Sequence, residues 1–175
     1  MIFNETHLRG SFLVRMEKLE DARGFFARSW CEREASTHGI VTDFVQCNVS
    51  FNREKGTLRG MHYQFPGWEA KLVMVTVGAI FDAIIDLRPE SPTYLEHFTV
   101  TLNHEDRVML YIPEGFAHGF MTLKDNTEVF YQMSEYYIAG NDQGIRWDDP
   151  RFRIPWPAGG KIISERDREL PYFEP

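Results

Sequence analysis

Apolar residues in this chain fall in short runs, several of which alternate with polar residues at a period of two, the spacing of a half-buried strand. The pattern predicts strands over 44–51, 57–63, 71–77, 80–86, 97–102, 107–112 and 128–133. Pro66-Gly67, the lone Gly78, and stretches 89–92, 103–106 and 124–126 separate them with residue types that tolerate tight or left-handed backbone. Many short strands joined by such turns predict a mainly β sandwich or barrel. Two helices are expected besides. Ser29 with Glu32 has capping-box spacing at the head of WCEREASTH, which Gly39 can close, and Ser164-x-x-Asp167 opens a second, shorter turn. The Pro- and Trp-rich stretch 147–157 reads as an ordered wrap, since its aromatic rings are costly to leave in water.

Composition narrows the picture. The chain has 175 residues, 43% apolar and 26% charged, without repeats or low-complexity tracts, and is expected to fold as one unit over 1–175. Nineteen Lys and Arg against 26 Asp and Glu leave a formal charge of −7. That balance argues against nucleic acid or an anionic membrane as partner, and requires any positive field for an anionic ligand to be local. The most apolar window, 72–81, is about half the length of a membrane span, and the opening MIFNETHLRG lacks a signal-like apolar core, so a cytoplasmic location is expected. Cys31 and Cys47, without C-x-x-C spacing, form neither a disulfide framework nor a zinc cluster and are expected to be reduced, mostly structural thiols.

The candidate chemistry is concentrated in QCNVSFNREKGTLRGMHYQ, which puts Asn48, Arg59, His62 and Gln64 on two adjacent strands. Strict alternation sends Arg59 and His62 to opposite faces, so a shared pocket requires a bulge at Gly60. Read alone, His62 is equally a hydrogen-bonded core histidine and Arg59 a surface ion pair. Lys71 opens the apolar run KLVMVTV, as a functional amine or a snorkelling strand end. His118 follows Pro113 in PEGFAHGF, again beside an apolar run. Tyr131 shares a strand face with Val129 and Met133, an apolar setting in which a phenol needs a partner. Neither histidine belongs to an H-x-H pair, so no metal is expected, and P-loop, dinucleotide and nucleophile-elbow motifs are missing. Histidines, a lysine and tyrosines without an obvious nucleophile suit proton transfer.

At this point the chain resembles the dTDP-4-dehydrorhamnose 3,5-epimerase family through DARGFF, QCNVSFN, GTLRGMHYQ, KLV, DLRPESPTY, IPEGFAHGF, EVFYQMSEYY, GIRWDDP and ISERD, which run in family order from about residue 21 to 167. The resemblance implies a cupin-type jelly-roll barrel with a few short helices. It also implies a cofactor-independent epimerase that inverts C3 and C5 of a dTDP-linked 4-keto-6-deoxyhexose and yields dTDP-4-dehydro-L-rhamnose for cell-surface polysaccharide. Carried over by position, it makes His62 the base, Asp167 the carboxylate that orients it, Tyr131 the acid and Lys71 the cation on the enolate oxygen. It places His118 in the sugar pocket, Arg23 and Arg59 near the pyrophosphate, and Gln46, Cys47 and Asn48 as backbone and amide contacts. It also implies a homodimer in which an early strand crosses to the partner.

The chain departs from the family pattern with Arg28 where an acid is common and with Met74 in place of the arginine of KLVR. An acid before GIRW is Asp142, and the basic residue before the final aspartate is Arg166. These positions belong to the nucleotide end, so the reaction class carries over better than the base identity. Three alternatives stay open on the sequence: inversion at C3 or C5 alone or action on a related nucleotide sugar, a non-catalytic sugar-binding cupin, and a metal-dependent cupin.

Overall fold

A computed structural model describes residues 1–174. Its strands are β1 Ile2–Glu5, β2 Phe12–Arg15, β3 Lys18–Asp21, β4 Gly24–Ala27, β5 Gln46–Asn52, β6 Thr57–Gln64, β7 Lys71–Val77, β8 Ala79–Asp86, β9 His97–Asn103, β10 Val108–Ile112, β11 Phe116–Thr122, β12 Thr127–Met133, β13 Asp142–Gly144 and β14 Ile162–Ile163. The helices are α1 Glu32–Ser36 and α2 Glu165–Arg168. All seven strands expected from alternation are present, with ends within two residues of the expected ones. Two of the strands that alternation misses lack it: β3 is exposed along its whole length, and β11 is buried at every position.

The strands form two main sheets. One has the order β1-β2-β10-β7-β12-β5; the other runs β13-β6-β11-β8-β9 with β14 parallel on β6. This is the expected jelly-roll type of architecture, with sheets that stack without strand pairing closing them into a continuous barrel among the described residues. The hairpin β3–β4 pairs with itself alone.

Alternation explains the layering. Val73 and Val75 of β7, Val129 of β12, Ile80 and Ile84 of β8, and Phe116 and Phe120 of β11 meet between the sheets, where burying large side chains contributes about 1.5–3 kcal/mol each. The intervening Leu72 packs outward with Phe12, Val14, Ala35 and Tyr111, beneath α1. On the far side of the second sheet, Met61, Ala83, Ile85 and Ala117 are covered by Phe152, Ile154 and Trp156, the expected aromatic wrap.

One helix start differs from expectation. The N-cap of α1 is Cys31, without a side-chain cap bond, rather than Ser29. The chain before it stays extended, and the Trp30 ring packs edge-on against Phe44 at 5.0 Å. Gly39, at φ +71, does close the far end, its N–H donating to the Ser36 carbonyl. Ser164 caps α2 as expected, its hydroxyl accepting from the Asp167 N–H at 3.1 Å.

Candidate active site

The glycine of LRGMH decides where the site can form. His118 of β11 faces His62 of β6, while Phe120 faces Arg59, so two steps along β11 oppose three along β6. That extra residue is the expected bulge, and it brings Arg59 and His62 to one cavity. Gly60 has φ +119, and a Cβ there would lie 2.5 Å from Gly119 Cα and 2.7 Å from the His118 carbonyl oxygen. Only glycine fits.

The cavity, of about 690 Å³, opens between the two sheets. His62 and His118 sit on adjacent positions of β6 and β11 in one wall. Lys71 of β7 and Tyr131 of β12 sit in the other, with Met133 directly beside Lys71 and Asn48 directly beside Tyr131. Gln46, Asn48, Arg59, Asp142 and Arg166 complete the polar lining.

The two histidines and the lysine here each have a carboxylate partner. His62 Nε2 lies 2.8 Å from Asp167 Oδ1, and the other carboxylate oxygen accepts from the Gly60 N–H at 3.3 Å. Burial pushes the Asp167 carboxyl up, but the His62 hydrogen bond and charge, the Gly60 N–H and Arg166 outweigh it and hold it below its ordinary 3.8. An ionised carboxylate only accepts, so His62 Nε2 carries the proton and Nδ1 is left as the basic nitrogen. His118 Nε2 meets the wholly buried Asp82 at 2.9 and 3.2 Å in a second pair of the same kind. Lys71 Nζ is 2.8 Å from Glu69 Oε1, and both side chains are buried. Burial raises the Tyr131 phenol above its ordinary 10.0, against the pull of Arg59 and Asn48, so it holds its proton at neutral pH. Arg59 Nε donates to Asn52 Oδ1 at 2.8 Å, leaving the rest of its guanidinium toward the cavity, while Arg166 pairs with Asp142 at the rim.

Three expected residues stand apart from this cavity. Cys47 is an exposed free thiol on the opposite face of β5, as alternation from Gln46 and Asn48 requires, and so is not a buried structural cysteine. Arg23 lies on the self-paired β3–β4 hairpin, where it binds Asp21, and Arg28 pairs with Glu34. Gln64 is on the lining but committed, since its amide donates to the Gly67 and Tyr136 carbonyls and accepts from the Ile138 N–H. Two residues were missed. Asp82 was detectable, as a charge at an inward position of the apolar run AIFDAIID; Glu69 lies outside any strand and gave no periodic signal. Among the described residues no three His, Cys, Asp or Glu side chains converge to hold a metal ion, and no helix is long and apolar enough to cross a membrane.

A jelly roll whose interior holds a carboxylate-oriented imidazole, a protonated phenol and an ammonium defines a cupin-type acid–base isomerase. Comparison with known proteins gives the family. A family model described as dTDP-4-dehydrorhamnose 3,5-epimerase matches residues 5–175, and the chain belongs to that family. The dTDP-4-dehydrorhamnose 3,5-epimerase of Methanothermobacter thermautotrophicus is 43% identical over 169 residues, covering 95% of this chain and 91% of its own. The Bacillus anthracis dTDP-4-dehydrorhamnose 3,5-epimerase, solved with TDP and PPi bound, matches with a TM-score of 0.94 and 41% identity over 98% of this chain and 99% of that one. A Legionella pneumophila dTDP-6-deoxy-D-glucose-3,5-epimerase, in complex with dTDP-4-keto-L-rhamnose, matches with a TM-score of 0.91 and 34% identity over 98% and 92%.

Proposed function

We propose that this enzyme inverts C3 and C5 of dTDP-4-dehydro-6-deoxy-D-glucose to give dTDP-4-dehydro-L-rhamnose, with His62, Tyr131, Lys71 and Asp167 as its catalytic set. The observation that carries the reading is that His62 and Tyr131 face one cavity from opposite sheets. Inversion needs a base on one side of the carbon and a proton donor on the other, because one group returning its own proton restores the starting configuration.

The chemistry is a pair of proton transfers. His62 Nδ1 takes the proton of the carbon beside the ketone, and the C–H electrons move into an enolate whose charge falls on the carbonyl oxygen. Lys71 stabilises that charge, which exists in the transition state and not in the substrate. Tyr131 then delivers a proton from the opposite side, and solvent resets both groups. Nothing is oxidised or reduced, so the steps balance without a cofactor. The His118–Asp82 pair hydrogen-bonds the sugar; Arg59 and Arg166 take the diphosphate end, with Gln46 and Asn48 as amide contacts and Asp142 holding Arg166.

The reading extends to assembly. The exposed Leu19, Phe25 and Phe26 of the β3–β4 hairpin and Val49 and Phe51 of the β5 edge suit coverage by a second copy, and a homodimer would bring Arg23 of one protomer toward its partner's cavity. Sedimentation velocity should give a dimer, and Phe26→Asp should shift it toward monomer. Two free thiols and a nucleotide-linked substrate fit the cytoplasm.

The test is proton NMR with dTDP-4-keto-6-deoxyglucose in heavy water. The native enzyme should place deuterium at both C3 and C5 and form the inverted product, and His62→Ala should do neither while remaining folded. Label at one carbon alone would make it a single-carbon epimerase; binding without exchange would make it a sugar-binding protein.

A further inference from the structure

Among the described residues Glu69 is the one buried carboxylate at the cavity that the scheme above leaves without a task. It is 7% exposed, lines the cavity, and places Oε1 2.8 Å from Lys71 Nζ, while its Oε2 is buried and has no hydrogen-bond partner. Resting on the role proposed for Lys71, we infer that Glu69 is a positioning residue that anchors the Lys71 ammonium at the carbonyl oxygen of the substrate.

Lys71 is 8% exposed and sits at the first position of β7, where its four-carbon stem has a choice of rotamers. An ammonium taken out of water swings toward solvent unless a counter-charge holds it. Among the described residues the ion pair with Glu69 is the salt bridge it makes. That bond uses one of three N–H donors and leaves two for the ketone oxygen. The other charged and titratable groups around the cavity do not supply the missing negative charge: Arg59 and Arg166 are cations, Tyr131 is a phenol, Asp142 is held by Arg166 at the rim, and the two buried aspartates are committed, Asp167 to His62 and Asp82 to His118. The orphaned Oε2 indicates what the arrangement gives up. With Oε2 bonded to no protein group, the ion pair to the lysine is what orients this carboxylate.

The test is a double-mutant cycle on C3 and C5 deuterium exchange, with dTDP binding measured in parallel. Glu69→Gln should lower kcat about tenfold to a hundredfold, the scale of a misplaced catalytic group, and leave dTDP affinity unchanged because in this scheme the ammonium serves the sugar carbonyl, which dTDP lacks. In a Lys71→Ala background the same substitution should cost nothing further. If Glu69→Gln does not fold, Glu69→Asp, which keeps the charge but shortens the reach, is run through the same cycle with the same expectation. Native rates in the single variant, or losses that simply add in the double, would overturn the inference. A Lys71→Ala enzyme at native rate would instead overturn the role of Lys71 itself, which separates the two failures.

Discussion

Replacing Asp167 by asparagine tests the base most directly, because the substitution keeps shape while it removes the charge and reverses one hydrogen bond, the one to His62. The side chain is 4% exposed and touches His62 through one oxygen and the Gly60 N–H through the other. The Gly60 N–H can only donate, so it claims the single amide oxygen and turns the amide N–H₂ toward His62 Nε2. That nitrogen must then accept, the ring proton moves to Nδ1, and the nitrogen meant to remove the sugar proton already carries one. In enzymes with an analogous His–Asp pair, the wrong tautomer costs about 10⁴ in kcat, or about 5.4 kcal/mol at 1.36 kcal/mol per tenfold. We expect a loss of about 10³- to 10⁴-fold in epimer formed, followed by NMR, with a thermal midpoint near that of the native enzyme. A folded Asp167→Asn enzyme within about threefold of native would show that the carboxylate does not set the imidazole's tautomer, and the base would have to be sought elsewhere.

Tyr131→Phe should lower epimer formation by about a hundredfold or more while deuterium still enters at C3 and C5 with retention, since His62 can exchange its proton and return it to the same side; proportional loss of exchange and inversion would refute the division of labour. Gly60→Ala should destabilise the protein by more than about 2 kcal/mol in urea titration, because the new Cβ meets backbone atoms on β11 that cannot give way; an unchanged midpoint would refute the close approach. Asp86 anchors the turn after β8 by accepting from Arg88, Ser91 and Thr93, and those bonds outweigh burial and hold its carboxyl below the ordinary 3.8. A depressed carboxyl stabilises above its unfolded value and loses that contribution as pH falls through its folded one. Asp86→Asn should therefore lower stability by roughly 2 kcal/mol at pH 7, and the gap between native and variant melting temperatures should close as pH drops below 3.8.

How far the sequence could be read depended on whether a feature is set by neighbours along the chain or by neighbours in space. The parity of β12 is local, and it placed Tyr131 inward beside Val129 and Met133, where the structure has it. The need for a bulge at Gly60 was also local, an arithmetic conflict between Arg59 and His62 on one strand, and the register shift resolves it. Strand β11 shows the limit. Buried at every position, it has no alternation to detect, yet its pairing with β6 sets His118 beside His62. Arg23 and Arg28 show another, since their motif matches the family while the self-paired hairpin that carries Arg23 meets no part of this cavity.

Sheet membership is the fact on which inversion depends, and no periodicity contains it. His62 and Tyr131 are 69 positions apart by their numbers in the chain, and the alternation along each strand would allow both on one wall. What separates them is a set of long-range pairings: β6 joins β11 and β13 in one sheet, while β12 joins β7 and β5 in the other. The same pairings put Lys71 next to Met133, on the wall of Tyr131 rather than that of His62. In the proposed scheme the cation then approaches the carbonyl from the side of the proton donor, leaving the wall of β6 and β11 to the imidazole. An active site assembled this way needs the base and the acid to be held by different sheets, and a stack of two sheets with a polar gap between them provides that arrangement without a moving part.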